Sequence, residues 1–284
     1  MDIGVQGGMR SVLNIVLLMA IAYAVVLLLV FLFQSRLIYF PQFERELTAT
    51  PRAAGLDYED VALHAADGVA LHGWWVPARA ARGAVLIFHG NAGNISHRIG
   101  YLTMFNRLGY AVLIIDYRGY GRSSGTPSEE GTYRDAEAAW QYLMETRKLK
   151  PQDVVILGES LGGGVATWLA VKYPPRALIL ASVFTSVPDL GAKVYWWLPV
   201  RLLARIHYDS RERMQQITAP ALIAHSREDD IVPFAHGEAL LAAAREPKQF
   251  LVMSGGHNDG FLFLREEWMA AVGSFLERAA LKRD

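Results

Sequence analysis

The hydrophobic positions of this chain fall into three patterns, and each predicts a different kind of element. Residues 12–33 (VLNIVLLMAIAYAVVLLLVFLF) form an unbroken apolar stretch in which Asn14 is the one strongly polar member. As a helix it spans roughly 30 Å, the thickness of a bilayer core. Residues 61–64 (VALH) and 69–76 (VALHGWWV) alternate around Asp67-Gly68 and predict a β-hairpin. Residues 84–88, 111–115, 154–157, 177–180, 221–224 and 250–252 are short continuous apolar runs. Runs of that kind mark strands buried on both faces.

Helical periodicity occupies the intervals between them, at residues 95–108, 133–146, 163–172, 235–244 and 266–281. Alternating strand and helix predict an α/β class domain, with a mostly parallel central sheet and helices on both faces. In such sheets ligands bind beyond the C-terminal ends of the strands. Residues 185–217 interrupt the rhythm with Pro188, Tyr195-Trp196-Trp197-Leu198-Pro199 and a mixed run from Arg201 to Ile206. They read as a short lid inserted after a strand. Its aromatic residues either line a pocket or touch a bilayer, or they pack the insertion onto the body.

The expected organisation is a short tail (1–11), a transmembrane anchor (12–33), a linker (34–57) and one catalytic domain (58–284). A cleaved signal peptide is disfavoured because the apolar stretch is too long and the bulky segment after it, Leu37-Ile38-Tyr39-Phe40-Pro41, has no small-residue cleavage pattern. Tyr39 and Phe40 are candidates for the membrane interface. A single-pass membrane location follows, with residues 12–33 in contact with lipid. Arg10 precedes the span and Arg36, Arg45 and Arg52 follow it. Large domains cross membranes regardless of flanking charge, so the side is left open.

Composition narrows the function classes. Lys and Arg number 28, equal to Asp and Glu, and no basic stripe appears. Nucleic acid is therefore not an expected partner. There is no cysteine, which removes disulfides, thiolate metal ligands and cysteine nucleophiles together.

The candidate chemistry centres on Ser160. Gly158-Glu159-Ser160-Leu161-Gly162 follows one apolar strand directly and opens a helical segment, the context of a strained elbow that projects a serine hydroxyl. Serine needs a base and an acid that orients the base. His257, in the Gly255-Gly256-His257 loop after the last strand, is the base favoured among eight histidines. His64, His72, His97 and His207 lack motif context, His236 starts a predicted helix and His225 ends an apolar strand. The acid lies in the Glu228-Asp229-Asp230 turn after the preceding strand, unless that turn is simply solvated. Donors for a developing oxyanion are expected from the backbone N–H of Leu161, at the helix start, and of Asn91, in the loop His89 to Asn94. His89 is read as a turn-stabilising side chain.

Taken together and in order, these segments resemble the α/β-hydrolase superfamily, and more narrowly its membrane-anchored serine hydrolases related to eukaryotic protein depalmitoylases. The likeness covers about residues 37–280. It rests on residues 37–41, 89–94, Asp116-Tyr117-Arg118-Gly119-Tyr120-Gly121-Arg122-Ser123, 158–162, Asp229 to Pro233 and Gly256-His257. The resemblance implies an α/β-hydrolase fold with a catalytic triad of Ser160, His257 and Asp229. Asp229 is preferred to Asp230 because it fits a D-x-x-V-P spacing. Asn91 and Leu161 are implied as oxyanion donors, and Arg118 and Arg122 order a loop. An ester or thioester hydrolase acting on small or acylated amphiphilic substrates is expected, with no metal or organic cofactor. The rivals are a peptidase or amidase on the same fold and a membrane-tethered binding protein, whose signature would be a broken triad.

Overall fold

The computed structural model describes residues 3–281, with backbone alone for residues 3–8 and 10. The first two residues of the expected tail and the last three of the domain lie outside the described residues, as does the Arg10 side chain.

Eight strands form one sheet: β1 (Glu59–His64), β2 (Ala70–Val76), β3 (Ala84–Phe88), β4 (Ala111–Ile115), β5 (Val154–Glu159), β6 (Ala177–Ala181), β7 (Ala221–Ser226) and β8 (Lys248–Met253). Their spatial order is β1-β2-β4-β3-β5-β6-β7-β8. The expected hairpin is present, β1 and β2 pairing antiparallel with His64 opposite Ala70. β2 meets β4 antiparallel, and every pair from there to β8 is parallel. β5 is central. Strands β3 to β7 are buried along their whole length, which is why their sequences run apolar without alternation.

The helices are α1 (Ile3–Ile38), α2 (Ile99–Arg107), α3 (Glu129–Gln141), α4 (Leu161–Lys172), α5 (Val187–Val194), α6 (Val200–Leu203), α7 (Ser210–Met214), α8 (Phe234–Ala243) and α9 (Glu266–Leu281). Side chains of α2 and α9 pack one face of the sheet, and those of α3, α4, α7 and α8 the other. α3 begins four residues ahead of the apolar periodicity because Ser128 caps it, its hydroxyl accepting from Gly131 N. The segment 95–108 divides into a 3₁₀ turn, Ile95–Arg98, capped by Asn94, and α2.

α1 is longer than the apolar run at both ends, and its helical geometry breaks at Phe33. Its stretch Ser11–Ile38 is long and apolar enough to cross a membrane, by length and composition, and its most apolar window is unburied.

The linker is not a free tether. Tyr39 is 3% exposed, and its hydroxyl lies 2.9 Å from that of Tyr208. The expectation that Tyr39 sits at the membrane interface is therefore overturned, because the phenol finds a buried partner inside the domain. Phe40, by contrast, is half exposed and bridges to Ala92. Farther on, Arg45 Nε donates to Gly121 O, and Asn94 Nδ2 donates to the carbonyls of Glu44 and Glu46.

The insertion is also shorter than its sequence interval. Ile206, Tyr208, Met214 and Ile217 are buried in the main core, so residues 206–217 belong to the body. α5, α6 and the aromatic turn between them form the overhang. Trp196 is 82% exposed, which excludes it from packing the insertion onto the body.

Candidate active site

Ser160 adopts φ 51° and ψ −117°, a strained region for a residue with a Cβ, between the last residue of β5 and the first of α4. The tightness of the elbow explains its flanking glycines. A Cβ at Gly158 would lie 2.6 Å from Gly162 O, and one at Gly162 would lie 2.1 Å from Phe88 O. The second clash also shows how closely the elbow approaches the end of β3, the strand that leads into the Asn91 loop.

The three residues expected to form a triad are brought together from the ends of β5, β7 and β8. Nε2 of His257 lies 3.0 Å from Ser160 Oγ, and Nδ1 lies 2.9 Å from Asp229 Oδ2 and 3.0 Å from Oδ1. An ionised carboxylate can only accept, so Nδ1 carries the ring proton and Nε2 is free to accept from the serine hydroxyl. Asp229 also accepts from Ile231 N and Val232 N. Burial opposes its ionisation, but hydrogen bonds from His225, His257 and the backbone outweigh burial and hold it well below the usual carboxylate range.

The neighbouring acids have different work. Asp230 Oδ1 accepts from the backbone N of His257, and Glu228 Oε2 accepts from Gly255 N. They hold the histidine loop rather than its ring. His225 is buried beneath Asp229, its Nε2 donating to Val232 O at 2.8 Å and lying 3.4 Å from Asp229 Oδ2. Of the three acids in the turn Asp229 alone is buried; Glu228 and Asp230 are exposed, and each still holds a backbone amide of the histidine loop.

The Asn91 loop is held by the motif 116–123. Tyr117 donates to His89 O, Tyr120 donates to Asn91 Oδ1, and Asp116 accepts from Ile95 N. Phe40 N also donates to Asn91 Oδ1 at 3.3 Å. His89 donates from Nδ1 to Gly90 O, and burial pushes its pKa down to about 4, so it is neutral and structural. Arg118 lies in a separate buried network with Asp135 and Asp67, which joins the β1–β2 turn to α3. Arg122 is exposed, and nothing in the structure explains it.

Ser160, His257, Asn91 and Leu161 line one cavity of about 430 Å³, walled on the lid side by Leu190 and Tyr195. Sequence reasoning missed two features of this cavity. Glu159 and Arg98 form a buried ion pair at 2.8 Å beside the nucleophile. A charged residue at the end of a buried strand was the signal, since burial demands a partner. Ile38 and Phe40, assigned to the linker, complete the wall. Among the described residues no group of three or more His, Cys, Asp or Glu side chains is placed to hold a metal ion.

Comparison with known proteins agrees with this architecture. Residues 83–200 match the family model for the alpha/beta hydrolase fold. The chain is 41% identical over 274 residues to an uncharacterized protein of Mycobacterium tuberculosis, covering 95% of this chain and 96% of that protein. It is 34% identical over 273 residues to the alpha/beta hydrolase domain-containing protein WAV2 of Arabidopsis thaliana, covering 87% and 89%. Human alpha/beta hydrolase domain-containing protein 17B is 34% identical over 200 residues, covering 70% of this chain and 65% of that protein. Among solved structures, an esterase of Pyrococcus furiosus superposes with a TM-score of 0.68 at 22% identity, covering 81% of this chain and 96% of the esterase. The chain belongs to the α/β-hydrolase family, and that membership supports hydrolase activity.

Proposed function

We propose that this protein is a single-pass, membrane-anchored serine hydrolase that cleaves a carboxylic ester or thioester through an acyl-enzyme. The observation that carries the reading is the continuous contact from Ser160 Oγ through the His257 imidazole to a buried, ionised Asp229. In this mechanism His257 Nε2 takes the hydroxyl proton as Ser160 Oγ attacks the carbonyl carbon. Asp229 fixes the tautomer of the neutral imidazole and then faces the imidazolium that forms. The N–H groups of Asn91 and Leu161 receive the oxyanion, Leu161 being the first residue of α4, where amides have no partner within the helix. Nε2 then protonates the departing alcohol or thiol. Water, deprotonated by the same nitrogen, attacks the acyl carbon; the acyl–Oγ bond breaks as Nε2 returns the proton to Ser160 Oγ, and the acid is released.

The apolar lid wall favours an amphiphilic acyl substrate, and the unburied apolar window of α1 supports anchorage in a bilayer. A fluorophosphonate probe tests the chemistry: the wild-type protein is labelled and Ser160→Ala is not. Equal labelling of the two would overturn the assignment. Comparing p-nitrophenyl acyl esters with aminoacyl amides separates an esterase from a peptidase. Absence of both labelling and turnover would leave a binding protein on a hydrolase scaffold.

A further inference from the structure

Beyond the catalytic cavity lies a second one, of about 220 Å³. The two share Ile38, Val187, Gly191 and Tyr195 in their linings, so the second cavity abuts the catalytic one on the side of α1. Val30 and Leu37 of α1 wall the second cavity on one side, and Leu198, Val200 and Leu203 of the lid wall it on the other. Gln34 is the one amide side chain in its lining, and both ends are occupied. Its Nε2 donates to Leu203 O at 2.6 Å and its Oε1 accepts from Arg205 N at 2.8 Å. The wall is left apolar.

The lid also descends along the helix. Tyr23 donates its hydroxyl to Trp197 O at 2.9 Å, and roughly 16 Å of helix separate Tyr23 from Gln34. A backbone carbonyl at that depth of a spanning helix needs a protein donor, because no water is there to supply one. The outer face of the lid fits the same surroundings. Residues 194–200 carry no charge, and Trp196 and Leu202 are 82% and 86% exposed. Arg205 lies over the Phe31 ring at 5.1 Å, a cation on the flank of the apolar contact.

We propose that the cleft between α1 and the lid is the acyl-chain site and that it opens into the leaflet surrounding the C-terminal half of α1. Its occupant is the fatty acyl chain of an ester lipid resident in that leaflet. The lipid enters sideways, with its chain along α1 and its carbonyl at Ser160. The chain passes from one apolar medium to another, so entry carries no desolvation cost, and the length of the cleft sets chain preference. The anchor is then a wall of the substrate site as well as a tether. This inference rests on the serine-hydrolase reading and adds to it the substrate class and the route.

The test uses the full chain, as Ser160→Ala, in phosphatidylcholine vesicles carrying a trace of a glycerolipid ester whose palmitoyl chain bears a diazirine. After irradiation, crosslinks on Leu198 and Leu203 are expected, because both line the cleft and not the catalytic cavity, and Leu198 is buried. Label confined to the lipid-facing residues of α1 overturns the proposal. Val30→Trp and Leu203→Trp, which fill the cleft from opposite walls, give a second measurement. In each, the ratio of kcat/KM for p-nitrophenyl palmitate to that for p-nitrophenyl butyrate falls tenfold or more; an unchanged ratio in both overturns it. The crosslinking map needs no turnover, so it decides the cleft separately from the hydrolase chemistry.

Discussion

Tyr120 donates its hydroxyl to Asn91 Oδ1 at 2.8 Å, which ties the loop expected to receive the oxyanion to the motif that follows β4. Phe40 N donates to the same oxygen from the other side. Removing the phenolic hydroxyl leaves the Asn91 side chain with one donor. Tyr120→Phe is expected to lower kcat about tenfold with KM little changed, because the displaced donors act on the transition state. Steady-state kinetics on a short-chain ester check this. A melting temperature lowered by no more than the loss of one neutral hydrogen bond, about 1 kcal/mol, excludes unfolding as the cause.

Asp229 touches the imidazole, whereas Asp230 touches only the backbone of His257. Asp229→Asn is expected to reduce kcat roughly ten-thousand-fold by releasing the ring tautomer. Asp230→Asn should cost about tenfold or less through looser positioning. Comparable losses in the two variants would reassign the acid.

The same carboxylate makes a pH-dependent contribution to stability. Its folded pKa is depressed, so that contribution is complete above the unfolded carboxylate range and is lost as pH falls through the lowered value. The difference in urea midpoint between wild type and Asp229→Asn is therefore expected to shrink below roughly pH 4. Urea titrations at stepped pH measure it, and a difference that grows on acidification would contradict the geometry.

Ser160 holds a positive φ that glycine adopts without strain. Ser160→Gly should abolish turnover yet raise stability over Ser160→Ala, by about 1 kcal/mol. Chemical denaturation of the two variants side by side gives the comparison.

Glu159 and Arg98 form a buried pair in the site wall. Glu159→Gln strands the guanidinium and is expected to cost about 3 kcal/mol of stability. The apolar double variant Arg98→Met with Glu159→Leu should recover most of it. A double-mutant cycle in urea shows whether the pair couples.

Much of the fold could be read locally. Strands β3 to β7 are buried on both faces, so each writes an apolar run into the chain, and the elbow around Ser160 requires small neighbours within a few residues of itself. The start of α3 was less legible: Ser128 begins it through a capping bond, which hydrophobic periodicity does not record.

By itself the sequence determined the order of the elements, the apolar span before them and the residue types able to supply nucleophile, base and acid, because sterics and burial act at short range along the chain. Only the tertiary structure decided that Glu228 and Asp230 hold the backbone of the histidine loop, that Tyr39 is buried against Tyr208, and that α1 closes the cavity beyond Ser160. Each of those depends on where side chains distant in the chain point once the sheet has formed. Gln34, for example, meets the lid backbone across 169 positions of sequence. The spacing of residues along a chain carries no record of such a meeting, since packing of the whole domain is what brings the partners within hydrogen-bond reach.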